Sequence, residues 1–309
     1  MPRSLVEHAS PHWLALLALA ACRSHTEKGP IGSPVASLAA VDVTTGIPVG
    51  ASGDEVAAPS VSPSSVHVTT DWCIEELSAL DEDVCYVLPR LAQGRPRRLI
   101  VYLHGIIPPV PDSVPKRSVQ TAVLRASVRA GVAALVPRGR RGVGPAGARD
   151  WWAWPTTSRA IAELTPSIVA RWSAAKAKLE GIVGMPFERT YLAGSSNGAY
   201  FLAALIVRAD ELGDAFPIDG FGAMSGGAFG AAASGELPRI RPRPFYVGFG
   251  AYDEESRTNA RLLVAALRAA HWPVREAEHP LGHGANEVYL DEAIEFWMAA
   301  EGSAPDAQR

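Results

Sequence analysis

The chain has 309 residues, a formal net charge of -3, 48% hydrophobic residues and 20% charged residues. That composition suits an ordinary globular protein with room for one large domain or two small ones. It excludes the clustered basic face that nucleic-acid binding needs. The short basic run of Arg138, Arg140 and Arg141 is broken by glycine and reads as a solvated loop.

The N-terminal residues read as a processing signal. Arg3 supplies a positive start, and an apolar run from Trp13 to Ala21 follows. At about ten residues the run is too short to span a bilayer but suits the core of a signal peptide. It ends in Leu19-Ala20-Ala21-Cys22, which resembles a bacterial lipobox. The resemblance makes residues 1–22 a lipoprotein-type signal segment with its lipobox, and implies lipid on Cys22, which becomes the new N-terminus, and an anchor at a membrane surface that does not cross it. An ordinary signal peptide with an incidental Cys22, and so simple secretion, is the alternative. Residues 23–70 are rich in Ser, Pro, Gly and Ala without periodicity, and read as a disordered tether. Cys73 and Cys85 are then an even pair in an exported chain. They are expected to form a disulfide, with two buried thiols as the alternative.

A single domain is expected over residues 71–300, with a disordered tail at 301–309. Cys85–Pro89 is a first candidate strand. Arg98–Leu103 is a continuous apolar run, as in a strand buried on both faces. Ser118–Ala130 has helical spacing, and Val132–Pro137 reads as the next strand. Ser158–Gly181 predicts a long helix with Ile161, Leu164, Ile168, Val169 and Trp172 on one face. Thr190–Ala193 reads as strand and Ala199–Ala209 as helix. Phe221–Met224 and Phe245–Phe249 read as strands, Asn259–Ala270 as an amphipathic helix, Val274–Glu278 as the last strand and Glu287–Ala300 as the closing helix. Alternating strands and helices imply βαβ units, and hence an α/β fold with a mostly parallel twisted sheet covered by helices on both faces. Sites in such sheets form beyond the carboxyl ends of the strands.

Directly after the strand Thr190–Ala193 stands Gly194-Ser195-Ser196-Asn197-Gly198, followed by a helix. A serine on so sharp a turn projects its hydroxyl above the sheet edge, and the flanking glycines permit the turn. The Asn197 amide then sits at a helix N-terminus, where the dipole favours negative charge. The alternative is a glycine-rich helix start with Ser195 or Ser196 as a mere cap. The strand ending at Leu103 runs into His104-Gly105-Ile106-Ile107-Pro108. Together, "LIVYLHGI" and "YLAGSSNGAY" resemble the α/β-hydrolase superfamily, in particular its small esterase, dienelactone-hydrolase-like and depolymerase-like branches.

The resemblance spans roughly residues 98–298 and implies an order of nucleophile, acid and histidine along the chain. It makes Ser196 the nucleophile, and the backbone amides of Ile106 and Asn197 the oxyanion hole. Asp253 is the implied acid, with Glu254 and Glu255 as neighbouring rivals. His283, between two glycines, is the implied base, with His279 as its rival. His104 reads as a structural histidine. The function implied is ester hydrolysis of a small-molecule or polymeric ester by a Ser-His-Asp triad. A peptidase of the same fold, or a non-catalytic binding protein on this scaffold, are the alternatives.

Two loops stand out beyond the triad. Trp151, Trp152 and Trp154 are candidates for a substrate-binding wall, with a packed lid as the alternative. The loop 225–230 is a candidate pocket lining. No cofactor is implied, and neither metal-ligand spacing nor a phosphate-cradling loop is visible.

Overall fold

A computed structural model of the chain describes residues 70–90, 97–208, 216–228 and 241–303. The signal segment, Cys22 and the tether lie outside these residues. One eight-stranded sheet organises the domain, with strands β1 (Ser78–Asp81), β2 (Val84–Val87), β3 (Arg98–Leu103), β4 (Ala133–Pro137), β5 (Arg189–Ser195), β6 (Gly220–Met224), β7 (Phe245–Gly250) and β8 (Val274–His279). Their spatial order is β1-β2-β4-β3-β5-β6-β7-β8. β1 and β2 run antiparallel at one edge, and every pairing from β4 to β8 is parallel. The chain therefore has the α/β-hydrolase fold that the sequence implied.

Among the described residues five helices cover the sheet: α1 (Val114–Ala130), α2 (Ser158–Val183), α3 (Asn197–Val207), α4 (Glu254–Ala269) and α5 (Glu287–Ser303). The core is split by the sheet into two clusters. Leu99, Val101 and Leu103 point into one, beside Trp172 of α2, Phe201 of α3 and Leu263 of α4. Ile100 and Tyr102 point into the other, beside Val123 of α1 and Trp297 of α5. This alternation is why β3 reads as an unbroken apolar run: both of its faces are buried. Among the described residues, no helix is long and apolar enough to cross a membrane.

Three helix boundaries depart most from the sequence reading, each for a capping or pairing reason. α1 starts at Val114 rather than Ser118, because the Ser113 side chain caps the Lys116 amide and Pro115 suits a first turn. α4 starts at Glu254 rather than Asn259, because Asp253 caps the Ser256 amide. α5 runs past residue 300 to Ser303, so the expected tail loses its first residues to helix. Glu301 there binds Arg98 at 3.0 Å through Nε, and accepts the Tyr191 hydroxyl hydrogen.

The expected disulfide between Cys73 and Cys85 is present, with the Cα atoms 5.5 Å apart. It pins the segment before β1 to β2. Around it, Gln120 of α1 donates to Trp72 O and accepts from the Ile74 amide, Lys116 donates to Asp71 O, and the Trp72 indole donates to Val136 O. Replacing both cysteines by serine is expected to cost about 3 kcal/mol, the loop-closure value for a short covalent ring. The urea midpoint reads this. An unmoved midpoint would mean that the α1 contacts alone hold the segment.

Candidate active site

The turn from β5 into α3 is built around Ser196. Its φ of 51° and ψ of -121° lie in a region that L-residues rarely occupy, and the strain lifts the side chain off the sheet. The Ser196 amide donates to Met224 O at 2.9 Å, which moors the turn to β6. Gly198 is required by close approach. A β-carbon there would collide with the carbonyl oxygens of Leu103 and His104. The turn is thus pressed against the end of β3, and Gly105 stands directly beside Ser196.

Three side chains from separate loops meet above this turn. His283 Nε2 lies 2.8 Å from Ser196 Oγ, and His283 Nδ1 lies 2.6 Å from Asp253 Oδ2. A carboxylate only accepts, so Nδ1 carries the hydrogen and Nε2 is left as the acceptor for the serine hydroxyl. Burial works to raise the Asp253 pKa, but the hydrogen bond and charge of His283 and the bonds from Ser256 outweigh it. The carboxyl is held below its ordinary value and stays ionised. Glu254 and Glu255 point to solvent from the first turn of α4, and only Asp253 is buried.

Two other histidines, His279 and His104, are engaged elsewhere. His279 ends β8 with Nε2 3.3 Å from Glu292 Oε2 and its ring edge against Tyr289. His104 is fully buried between the rings of Trp72 and Trp154, at centroid distances of 5.0 and 5.3 Å. Its Nε2 accepts the Gly139 amide at 2.8 Å, so Nδ1 carries the hydrogen and donates to Gly105 O. Burial pushes its pKa down to about 4, which keeps it neutral. It is a structural residue, as its sequence context indicated.

Asn197 follows Ser196 in the chain, and Ile106 follows Gly105, which stands beside Ser196. Asn197 opens α3, and its side chain is committed to Trp154, accepting from the backbone amide at 2.6 Å and donating to the carbonyl at 3.3 Å. Among the described residues, neither amide is bonded to another group of the chain. Both remain available as donors, and the dipole of α3 adds to the Asn197 position.

The tryptophan-rich segment departs from the substrate-wall reading at Trp154. That residue is 2% exposed, stacks on Phe201 at 5.8 Å and donates its indole hydrogen to His104 O at 2.9 Å. Trp154 is therefore a core residue bracing the turn. Trp152 is half-buried; its backbone pairs with Ile107, and the Arg138 guanidinium lies 4.3 Å over its ring. Trp151 is half-buried beside it.

Ser225, expected only to line a pocket, instead holds the histidine loop. It is fully buried, and its hydroxyl donates to Gly284 O at 2.9 Å, directly after His283. Ser256 was missed entirely. It is buried one helical turn after Asp253, and only an N-cap pattern starting at Asp253 would have drawn attention to it.

No family model matches the chain, and no curated protein matches it. Among solved structures it is similar to a carboxylesterase from Mesorhizobium loti at 16% identity, over 70% of this chain and 93% of that one, with a TM-score of 0.47. It is similar to the Bacillus cereus carboxylesterase at 14% identity, over 73% of this chain and 95% of that one, with a TM-score of 0.48. Esterase PE8 is similar at 19% identity, over 69% of this chain and 96% of that one, with a TM-score of 0.47.

Proposed function

We propose that the chain is a serine hydrolase that cleaves carboxylic esters through an acyl-enzyme. The observation that carries this reading is the continuous run from Ser196 Oγ to His283 at 2.8 Å and from His283 to Asp253 at 2.6 Å. In the proposed cycle His283 Nε2 takes the Ser196 proton as Oγ attacks the ester carbonyl. The negative charge that develops on the carbonyl oxygen is received by the amides of Asn197 and Ile106. Loss of one such donor lowers rate by roughly 100- to 1000-fold. His283 then hands its proton to the departing alcohol. Water, activated by the same imidazole, releases the acid. Asp253 keeps the Nδ1 hydrogen in place and stabilises the imidazolium.

Leu19-Ala20-Ala21-Cys22 supports a lipid anchor at Cys22 as part of the same reading, with the enzyme held at a membrane surface outside the cytoplasm. The disulfide is compatible with such a compartment.

The test is turnover of p-nitrophenyl esters of increasing acyl length, with covalent labelling by a fluorophosphonate in parallel. Burst kinetics, activity and labelling are the expected outcome. A chain that neither turns over any ester nor takes the label would overturn the proposal.

A further inference from the structure

The polar groups behind the triad extend beyond Asp253. Ser256 is 3% exposed and belongs to α4, yet its hydroxyl faces the catalytic loops rather than the helix. Its Oγ lies 3.1 Å from His283 Nδ1, the nitrogen that Asp253 Oδ2 approaches to 2.6 Å. Its backbone amide donates to Asp253 Oδ1 at 3.3 Å. Ser256 therefore touches both partners of the acid–imidazole pair with different atoms. Behind it stands Tyr200, one turn into α3 from Ser196, with its hydroxyl receiving the Asn259 amide hydrogen at 3.0 Å. Tyr200 is also hydrogen-bonded to Ser256, and burial pushes its pKa up to about 12, so it keeps its proton.

One assignment of hydrogens satisfies this cluster. Asn259 donates to Tyr200, and Ser256 donates its hydroxyl hydrogen to the Asp253 carboxylate, which can only accept. A lone pair of Oγ faces the Nδ1 hydrogen of His283. That hydrogen is then shared between two oxygens on different sides, which fixes both the ring plane and the tautomer.

We infer that Ser256 is a fourth, positioning member of the catalytic unit, acting through Asp253 and His283. It orients the carboxylate and accepts part of the Nδ1 hydrogen as positive charge builds on the ring. The inference rests on the esterase reading above. Ser256 touches no substrate atom, so its loss acts on the chemical step and leaves binding alone.

The test compares the full chain with Ser256→Ala, Asp253→Asn, the double variant and Ser196→Ala. Alanine fits the space of serine, and the backbone amide that caps α4 survives the change, so the fold is retained. A thermal midpoint checks this. Ser256→Ala is expected to lower kcat about tenfold, the loss of one charge-assisted bond, with KM within about twofold. In the Asp253→Asn background the same change is expected to cost less than about twofold, because residues that act as a unit are not additive. Unaltered kcat in Ser256→Ala would overturn the inference. So would an equal tenfold cost in both backgrounds, which marks a general structural role. Ser196→Ala separates the two levels: activity surviving there sinks the esterase reading itself, whereas a dead Ser196→Ala beside a fully active Ser256→Ala sinks only the role of Ser256.

Discussion

Replacing Ser196 by alanine is expected to lower kcat for ester hydrolysis by roughly 10⁴- to 10⁶-fold, the scale on which removal of a nucleophile acts in a serine hydrolase. The prediction is clean because of where the residue sits. Ser196 occupies a strained backbone position at φ 51°, and alanine keeps the β-carbon that experiences the strain. The mooring bond from the Ser196 amide to Met224 is a backbone bond and is untouched. Only Oγ disappears, together with its 2.8 Å contact to His283. The variant should therefore fold like the parent and fail to label with a fluorophosphonate. Stopped assays on p-nitrophenyl acetate and a melting curve give the two readouts. Activity within tenfold of the parent would move the chemistry off Ser196.

Asp253→Asn is expected to cost on the order of 10⁴-fold in kcat. An amide can donate as well as accept. Asparagine can present its NH₂ group to His283 Nδ1, and the ring then carries its hydrogen on Nε2, where the serine proton must arrive. The base is lost although every ring atom stays in place. Asparagine is also a good N-cap, so it preserves the start of α4 that Asp253 secures through Ser256. A catalytic collapse with at most a small fall in the thermal midpoint is the expected pair of results. Retention of a tenth or more of parental kcat would mean that Asp253 is only a helix cap. The melting curve also has a pH signature. The Asp253 pKa is lowered by folding, so its contribution to stability is present above the ordinary carboxylate range and fades as pH falls through the depressed value.

Much of this site was legible because strand ends are legible. Ser196 stands three residues after the short apolar strand Thr190–Ala193, in a pattern only a tight turn explains. Asp253 and His283 follow β7 and β8 in chain order. Choosing His283 over His279 needed the glycines on either side. The structure supplies the reason that sequence lacked: His279 faces Glu292 and Tyr289. What the pattern could not reveal was identity of contact. Trp151, Trp152 and Trp154 look alike in a loop, yet Trp154 alone turns inward, because its indole hydrogen and backbone amide both find acceptors beside the turn. β1 went unseen because four residues of mixed polarity at a sheet edge carry no periodic signal. Ser256 was hidden by the late start assigned to α4. Apolar periodicity begins at Ala260, whereas the helix itself begins at its cap, where hydrogen bonds rather than hydrophobic spacing decide.

The disulfide also defines how the domain meets a mechanical load. A pull applied through the residues before Thr70 reaches Cys73 almost at once, and there the covalent bond hands the tension to Cys85 in β2. β2 is laced to β4 along its length, so the ladder is loaded in shear, with several hydrogen bonds sharing the force. Among the described residues Thr70, Asp71 and Trp72, with their bonds to Glu82, Lys116, Arg138, Gln120 and Val136, lie on the outer side of that shunt. They would peel first and act as a fuse. The loop carrying His104 and Ile106 sits beyond the shunt, but Trp72 walls one side of the His104 ring, so the first event under tension would be to uncover that ring while β2 and β4 still hold.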